Sequence, residues 1–172
     1  MPNIVLIKNT YPDARSLQYV INYALPYDIG GGYALNPQYA CRQMQMVKEI
    51  FHKQDGEQLL HFVISFSNKE MYRLSDDDLV ELGNQIGFLF YNYQMVYGIH
   101  YDTDHIHLHV VMNTVSFRDG RRYSDGLGGF WKLRTMLQKR FPKSDVGIYR
   151  AFPDQRIGKK GDMLEDELYR IG

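Results

Sequence analysis

Residues 100–113 read HYDTDHIHLHVVMN, and four of the chain's six histidines fall within ten of these positions. His105, His107 and His109 alternate with Ile106 and Leu108, and Val110 and Val111 follow. Strict alternation of this kind is the signature of a strand. Residues two apart in a strand share a face, so the pattern predicts three imidazoles on one side and aliphatic groups entering a core on the other. His100 lies on a neighbouring extended segment, from Val96 to Tyr101, and is placed to fold back beside them. Imidazole binds metals in its neutral form and is the commonest metal-binding side chain. A cluster this dense predicts a divalent ion held on a sheet.

The rest of the chain supplies a scaffold for such a sheet. Asn3 to Lys8 reads as a first strand. Pro12-Asp13 opens a helix to about Leu25, with Leu17, Val20, Ile21 and Ala24 as its buried stripe and Pro26 as its stop. Gly30-Gly31-Gly32 reads as a flexible turn; it lacks the Lys and Ser/Thr that flank a phosphate loop. Asn36-Pro37 starts a second helix to about His52, with Met44, Val47 and Phe51 inward. Leu59 to Phe66 is a strand with Phe62, Ile64 and Phe66 on one face.

Ser75 caps a third helix in a Ser-x-x-Asp box completed by Asp78, and Leu79, Leu82, Ile86 and Phe90 form its core face. The three aspartates at its start complement the helix dipole. Met95 to Tyr101 and His105 to Ser116 are further strands, Asp119-Gly120 signals a hairpin, and Gly128 to Phe141 is a final helix. The order β-α-α-β-α-β-β-α predicts an α+β fold, a central antiparallel sheet with helices packed on it. Residues 1–172 read as a single domain, with 142–172 a candidate tail extending from the core.

With 172 residues the chain is long enough for one sizeable core. One cysteine, Cys41, rules out an internal disulfide and fits the cytoplasm. No apolar run has the length of a signal h-region or a membrane span, so no membrane insertion is expected. The formal net charge is zero but unevenly spread. Residues 1–117 carry 7 Lys/Arg against 12 Asp/Glu, and residues 118–160 carry 12 against 4. The basic segment follows the histidine strand directly and could attract a polyanion.

Spacing removes several histidine-rich families. No glutamate follows the His-x-His as in cupins, and Val110-Val111 stands where a metallo-β-lactamase would carry Asp-His. An amidohydrolase barrel needs roughly 250 residues. Two-histidine phosphoesterases need two separated His-x-Ser/Thr motifs, which this chain lacks. Cys41 is alone and distant, which argues against a structural zinc site.

The surviving pattern, His100-x-Asp102-x4-His107-x-His109-x3-Asn113, resembles the metal motif of the HUH endonucleases, and most closely the P-type branch of the mobilisation relaxases. The tyrosine-bearing helix LQYVINYAL, residues 17–25, and the strand HFVISF, residues 61–66, stand in the family's order. The likeness spans about residues 3–141. It implies site-specific nicking and joining of single-stranded DNA at an origin of transfer. A tyrosine would attack the scissile phosphate, giving a 5′-phosphotyrosyl adduct and a free 3′-hydroxyl.

Residue by residue, the resemblance implies His100, His107 and His109 as metal ligands, with Mg²⁺ or Mn²⁺ the ion. Asp102 matches the acidic residue that orients a histidine, and His105 is a further polar group near the phosphate. Tyr23 matches the nucleophile, ahead of Tyr19 and Tyr27. On the helical wheel Tyr23 lies about 100° from the centre of the buried stripe, at its edge. Arg118, Arg121, Arg122, Lys132 and Arg134 are the expected DNA contacts, and accessory relaxosome and coupling proteins the expected partners. The competing readings are a rolling-circle replication initiator with the same chemistry, a non-catalytic DNA-binding module, and an unrelated metal hydrolase with a deep pocket.

Overall fold

The computed structural model describes residues 2–25, 29–101 and 105–151. Six strands form one sheet: β1 (Asn3–Ile7), β2 (Gly30–Tyr33), β3 (Leu59–Phe66), β4 (Met95–His100), β5 (Ile106–Asn113) and β6 (Gly147–Ala151). Their order across the sheet is β2-β4-β5-β3-β1-β6. Every pairing is antiparallel except β1 with β6, which is parallel. The helices are α1 (Ala14–Ala24), α2 (Ala40–Ile50), the short α3 (Asn68–Met71), α4 (Asp76–Leu89) and α5 (Gly128–Arg140). The expected α+β architecture is therefore present.

Two strands differ from the sequence expectation. Gly30 to Gly32 is not a turn but most of the edge strand β2. Its glycines answer to close packing: a Cβ at Gly31 would lie 2.4 Å from the Tyr97 hydroxyl. Strand β6 falls within the segment read as a tail. It is only five residues long and pairs with β1, more than 140 positions away, so local pattern could not reveal it. The Lys8 amide extends the pairing by donating to the Ala151 carbonyl at 2.7 Å.

The pleat divides the sheet into two unlike faces. Ile4, Phe62, Ile64, Phe66, Tyr97, Ile99, Leu108, Val110 and Met112 point to one side. There Leu79, Leu82 and Ile86 of α4 and Phe130, Leu133 and Leu137 of α5 cover them in a continuous apolar core. On the other side α1 and α2 bring Leu17, Val20, Ile21, Ala24 and Met44 onto Leu59, Val96 and Val111. That second cluster is smaller, and beside it the buried pleat positions of β3, β4 and β5 include His61, His100, His107 and His109.

Local chemistry sets α1, the helix that matters for the site. Asp13 is its N-cap: its carboxylate accepts from the Ser16 amide at 2.8 Å, and Ser16 Oγ accepts from the Asp13 amide at 3.2 Å. The stripe Leu17, Val20, Ile21 and Ala24 is buried as the spacing predicts. At its far end α1 meets β4 so closely that a Cβ at Gly98 would lie 1.9 Å from the Ala24 carbonyl oxygen. Only glycine permits that approach, and it presses the last turn of α1 onto the sheet.

Candidate active site

Register brings the histidines together. His100 and His107 are direct cross-strand partners on β4 and β5, and His109 stands opposite Gly98. All three are buried on the α1 face. The His100 and His109 rings stack with centroids 4.0 Å apart, and those of His107 and His109 are 6.1 Å apart. His100 Nε2–H donates to the Ala24 carbonyl at 3.3 Å, which ties the ring to the end of α1.

A fourth imidazole joins them. His61 of β3 is buried, and its Nε2 lies 3.0 Å from His109 Nδ1. The sequence reading named its strand but not this residue as part of the site. The signal was parity: if Phe62, Ile64 and Phe66 share the core face, His61 must take the other. His105 does not join the alternation. It lies half-buried in a bend just before β5, because the strand pairing that imposes alternation begins only at Ile106. Asp102 and Tyr27 lie outside the described residues.

Burial keeps His61 and His109 neutral. It pushes the His61 pKa down to about 4, with the neighbouring His100 adding repulsion. Burial also holds His109 well below the ordinary imidazole value, reinforced by His61, His100 and His107. Neutral rings carry lone pairs, which is the state a metal ligand requires. The donor set thus suits a first-row divalent ion. Among the described residues no three such side chains already converge as a finished ligand set, since His100 and His109 stack face to face. The hydrogen bond at His109 Nδ1 leaves that ring's Nε2 as its ligating atom if Nδ1 carries the proton, the usual arrangement when a second group orients a ligand histidine.

Tyr23 closes the cluster from above. Its ring meets His61, His100 and His109 edge-on, with centroids 6.3, 5.3 and 5.2 Å away. It is 46% exposed, so the ring rests on the histidines while part of it reaches solvent. Tyr19, one turn earlier, is 74% exposed and lines the adjoining cleft.

The cationic residues do not gather here. The hairpin bearing Arg118, Arg121 and Arg122 follows the far end of β5; about 20 Å of strand separates His107 from Asn113. Arg122 donates to the Lys53 carbonyl at 3.1 Å and to the carbonyls of Asp55 and Glu57, so it holds the loop before β3. Arg118 lies over the Tyr91 and Phe117 rings, 5.5 and 5.3 Å from their centroids. Arg121 is exposed, beside Asp119. Lys132 and Arg134 belong to α5, on the opposite face of the sheet, where Arg134 Nε donates to the Val146 carbonyl at 2.7 Å. Asn113, at the end of the histidine motif, is wholly buried and structural. It accepts from Lys48 Nζ at 2.6 Å and donates to the Met44 carbonyl at 3.2 Å, pinning α2 to β5.

Comparison with known proteins agrees with this picture. A family model described as "Relaxase: MobA/VirD2-like, nuclease domain" matches residues 22–140. Two curated Staphylococcus aureus proteins, both named "Protein rlx", are 28% identical. One aligns over 97 residues, 56% of this chain and 28% of the relative, and the other over 132 residues, 76% and 39%. The chain therefore spans well under half the length of these relatives. A solved structure titled "MobM Relaxase Domain (MOBV; Mob_Pre) bound to 26nt pMV158 oriT DNA" shares the fold. Its TM-score is 0.52 at 12% identity, over 93% of this chain and 95% of that one. The family match covers Tyr23, His61 and the whole β4–β5 histidine pair of strands, and the chain belongs to the MobA/VirD2-like relaxase nuclease-domain family, whose members are DNA relaxases.

Proposed function

We propose that this chain nicks and rejoins single-stranded DNA at an origin of transfer, with Tyr23 as the nucleophile. The observation that carries the proposal is the seating of the Tyr23 ring on His61, His100 and His109. A tyrosine and a cluster of imidazoles at one place are the parts a phosphotyrosyl transfer needs.

In this reading Tyr23 Oη attacks the scissile phosphorus. Oη gives up its proton and bonds to phosphorus, the bond to O3′ breaks, and a proton is returned to the leaving oxygen as the 3′-hydroxyl, so that the step is proton-neutral overall. The covalent adduct conserves the phosphodiester energy, so the strand can be resealed by the reverse step. His100, His107 and His109 would hold a Mg²⁺ or Mn²⁺ ion, which when bound supplies positive charge to the non-bridging oxygens. His61 positions His109 through the Nε2 to Nδ1 hydrogen bond. The bond from His100 to the Ala24 carbonyl and the close contact at Gly98 keep α1, and with it Tyr23, over the rings.

The family resemblance adds Asp102 as an orienting carboxylate and His105 as a second polar group toward the phosphate. Arg118 and Arg121 would meet DNA backbone several nucleotides from the nick. A relaxase of this kind works in the cytoplasm with accessory relaxosome and coupling proteins. No helix among the described residues is long and apolar enough to cross a membrane.

The test is incubation of the protein with a randomised single-stranded DNA library and Mn²⁺, followed by capture of detergent-resistant protein–DNA adducts and mapping of the modified peptide. A phosphotyrosyl bond at Tyr23 is expected. No adduct, or an adduct confined to another tyrosine, overturns the assignment.

A further inference from the structure

Beside the histidines lies a cleft whose occupant the roles assigned above do not specify. Its volume is about 600 Å³, within the roughly 300–1,000 Å³ range of clefts that hold small ligands. Ile7, Tyr11, Arg15, Tyr19, Tyr23 and His61 are among its walls. It therefore shares Tyr23 and His61 with the candidate active site, and the two form one continuous surface.

The helix explains the arrangement. Arg15, Tyr19 and Tyr23 stand at i, i+4 and i+8 of α1, so they make one stripe along the cleft. An arginine at one end, an exposed tyrosine in the middle and the nucleophile at the other end repeat the make-up of a nucleotide: phosphate, base, phosphate. Asp13 is also at the rim, but its carboxylate is engaged by Ser16 as the helix cap. Tyr19 is 74% exposed on a helix whose core face is already complete, so packing gives no reason for a large aromatic there.

We infer that this cleft seats the base of the first nucleotide on the 3′ side of the nick, with Tyr19 as its stacking wall. The inference rests on the relaxase reading above. The side follows from the reaction. In-line attack by Tyr23 puts the leaving O3′, and the nucleotide that carries it, across the phosphorus from the tyrosine. A cleft on the tyrosine's own helix fits the nucleotide that keeps the phosphate and becomes bound to Tyr23. Arg15, two turns away along the stripe, is placed to meet the next phosphate. Tyr19 is then a substrate-positioning residue and not a second nucleophile.

The experiment starts from a strand that wild-type protein captures from the randomised library with Mn²⁺. That strand is remade with an abasic spacer at the first position 3′ of the nick, or at the first position 5′ of it. Loss of one stacked base weakens binding by about tenfold or more. Adduct formation at limiting DNA should fall by that factor for the 3′ spacer in wild type. Tyr19→Ala should show the same fall on the intact strand and no further fall with the 3′ spacer. Tyr19→Phe, which keeps the ring, should behave as wild type. Equal and additive losses for Tyr19→Ala and the spacer overturn the inference, as does a coupling found only with the 5′ spacer. If wild type captures no strand at all, the relaxase reading fails and this inference falls with it.

Discussion

The two faces of the sheet solve different problems with the same strands. On the α4–α5 side every inward position of β3, β4 and β5 is apolar, from Phe62 and Ile64 to Ile99, Leu108 and Val110. On the α1–α2 side the same strands present His61, His100, His107 and His109, and the buried Lys48 and Asn113 lie at the other end. Burying polar groups costs stability unless each finds a partner. The packed face gains its stability from area removed from water, and that gain allows the other face to keep four imidazoles close together. One strand, β5, serves both purposes, since a period of two sends Leu108 to the core and His109 to the site.

If this division holds, substitutions on the two faces should fail differently. The largest effect is expected at Tyr23. Tyr23→Phe removes one oxygen from a half-exposed ring, so folding and single-strand binding should be nearly unchanged while adduct formation becomes undetectable on a denaturing gel. An active Tyr23→Phe protein would remove the functional half of the comparison. Leu82→Ala, on the packed face, should instead cost about 2–5 kcal/mol in denaturant unfolding, as large-to-small changes in filled cores do. Activity per folded molecule should stay near wild type. A marked loss of activity at full folding would show that the faces are not independent.

The amount of this that could be read beforehand follows from the range of each signal. The alternation from His105 to Val111 announced a strand with a polar side, and the capping residues Asp13 and Ser75 announced where α1 and α4 begin. These signals are local. Strand β6 was not legible, because its only support is a parallel partner far away in the chain. The glycines of β2 are ambiguous in sequence because glycine marks both a free turn and a tight contact, and at Gly31 the Tyr97 ring decides for the contact. At the site, Tyr23 and the histidines proposed as ligands came from a motif. His61 required knowing that β3 and β5 are neighbours, and the separation of the arginines from the histidines required knowing which end of β5 the hairpin leaves.

Lys48 sharpens the contrast in energetic terms, because it is a charge buried on the polar face. Burial lowers its pKa to about 8 from an ordinary 10.5, with Arg122 adding repulsion and Cys41 opposing. Between these values the unfolded chain holds a proton that the folded chain has released. Stability from this group therefore rises as pH climbs from 8, by about 2 kcal/mol at pH 10. Below pH 8 both states are charged and the burial cost is present in full. Urea unfolding across pH 7–10 should show that rise in wild type relative to Lys48→Met, in which the titrating group is gone. Parallel curves for the two proteins would mean the amine is solvated.

His61 tests whether the imidazoles act as a set. His61→Leu removes the partner of His109 Nδ1 without touching the three residues proposed to hold the ion. Loss of such an orienting group lowers metal affinity or activity by about 10–100-fold. Titration with Mn²⁺, followed by calorimetry, should show that weakening while the protein remains folded. Unchanged Mn²⁺ affinity would assign His61 to packing alone.

The smallest effects are expected where the sequence placed the DNA track, and there neighbouring arginines should behave unlike each other. Arg122 spends its guanidinium on the carbonyls before β3, so Arg122→Ala takes that donor from the Lys53 and Asp55 carbonyls, while the Glu57 carbonyl keeps the Thr114 hydroxyl. That should destabilise the protein by about 1–3 kcal/mol. Arg121 has a side chain 86% exposed and only a 3.7 Å approach to Asp119. Exposed pairs of this kind contribute little, so Arg121→Ala should change stability by less than about 0.5 kcal/mol. Its value as a DNA contact is then measurable without interference from folding. A phosphate contact contributes about 0.7 to the slope of log affinity against log salt for single strands. Fluorescence anisotropy across a salt series should show the slope shallower by about that amount in Arg121→Ala. An unchanged slope would confine single-strand binding to the histidine face and leave the basic hairpin as ordinary solvated surface.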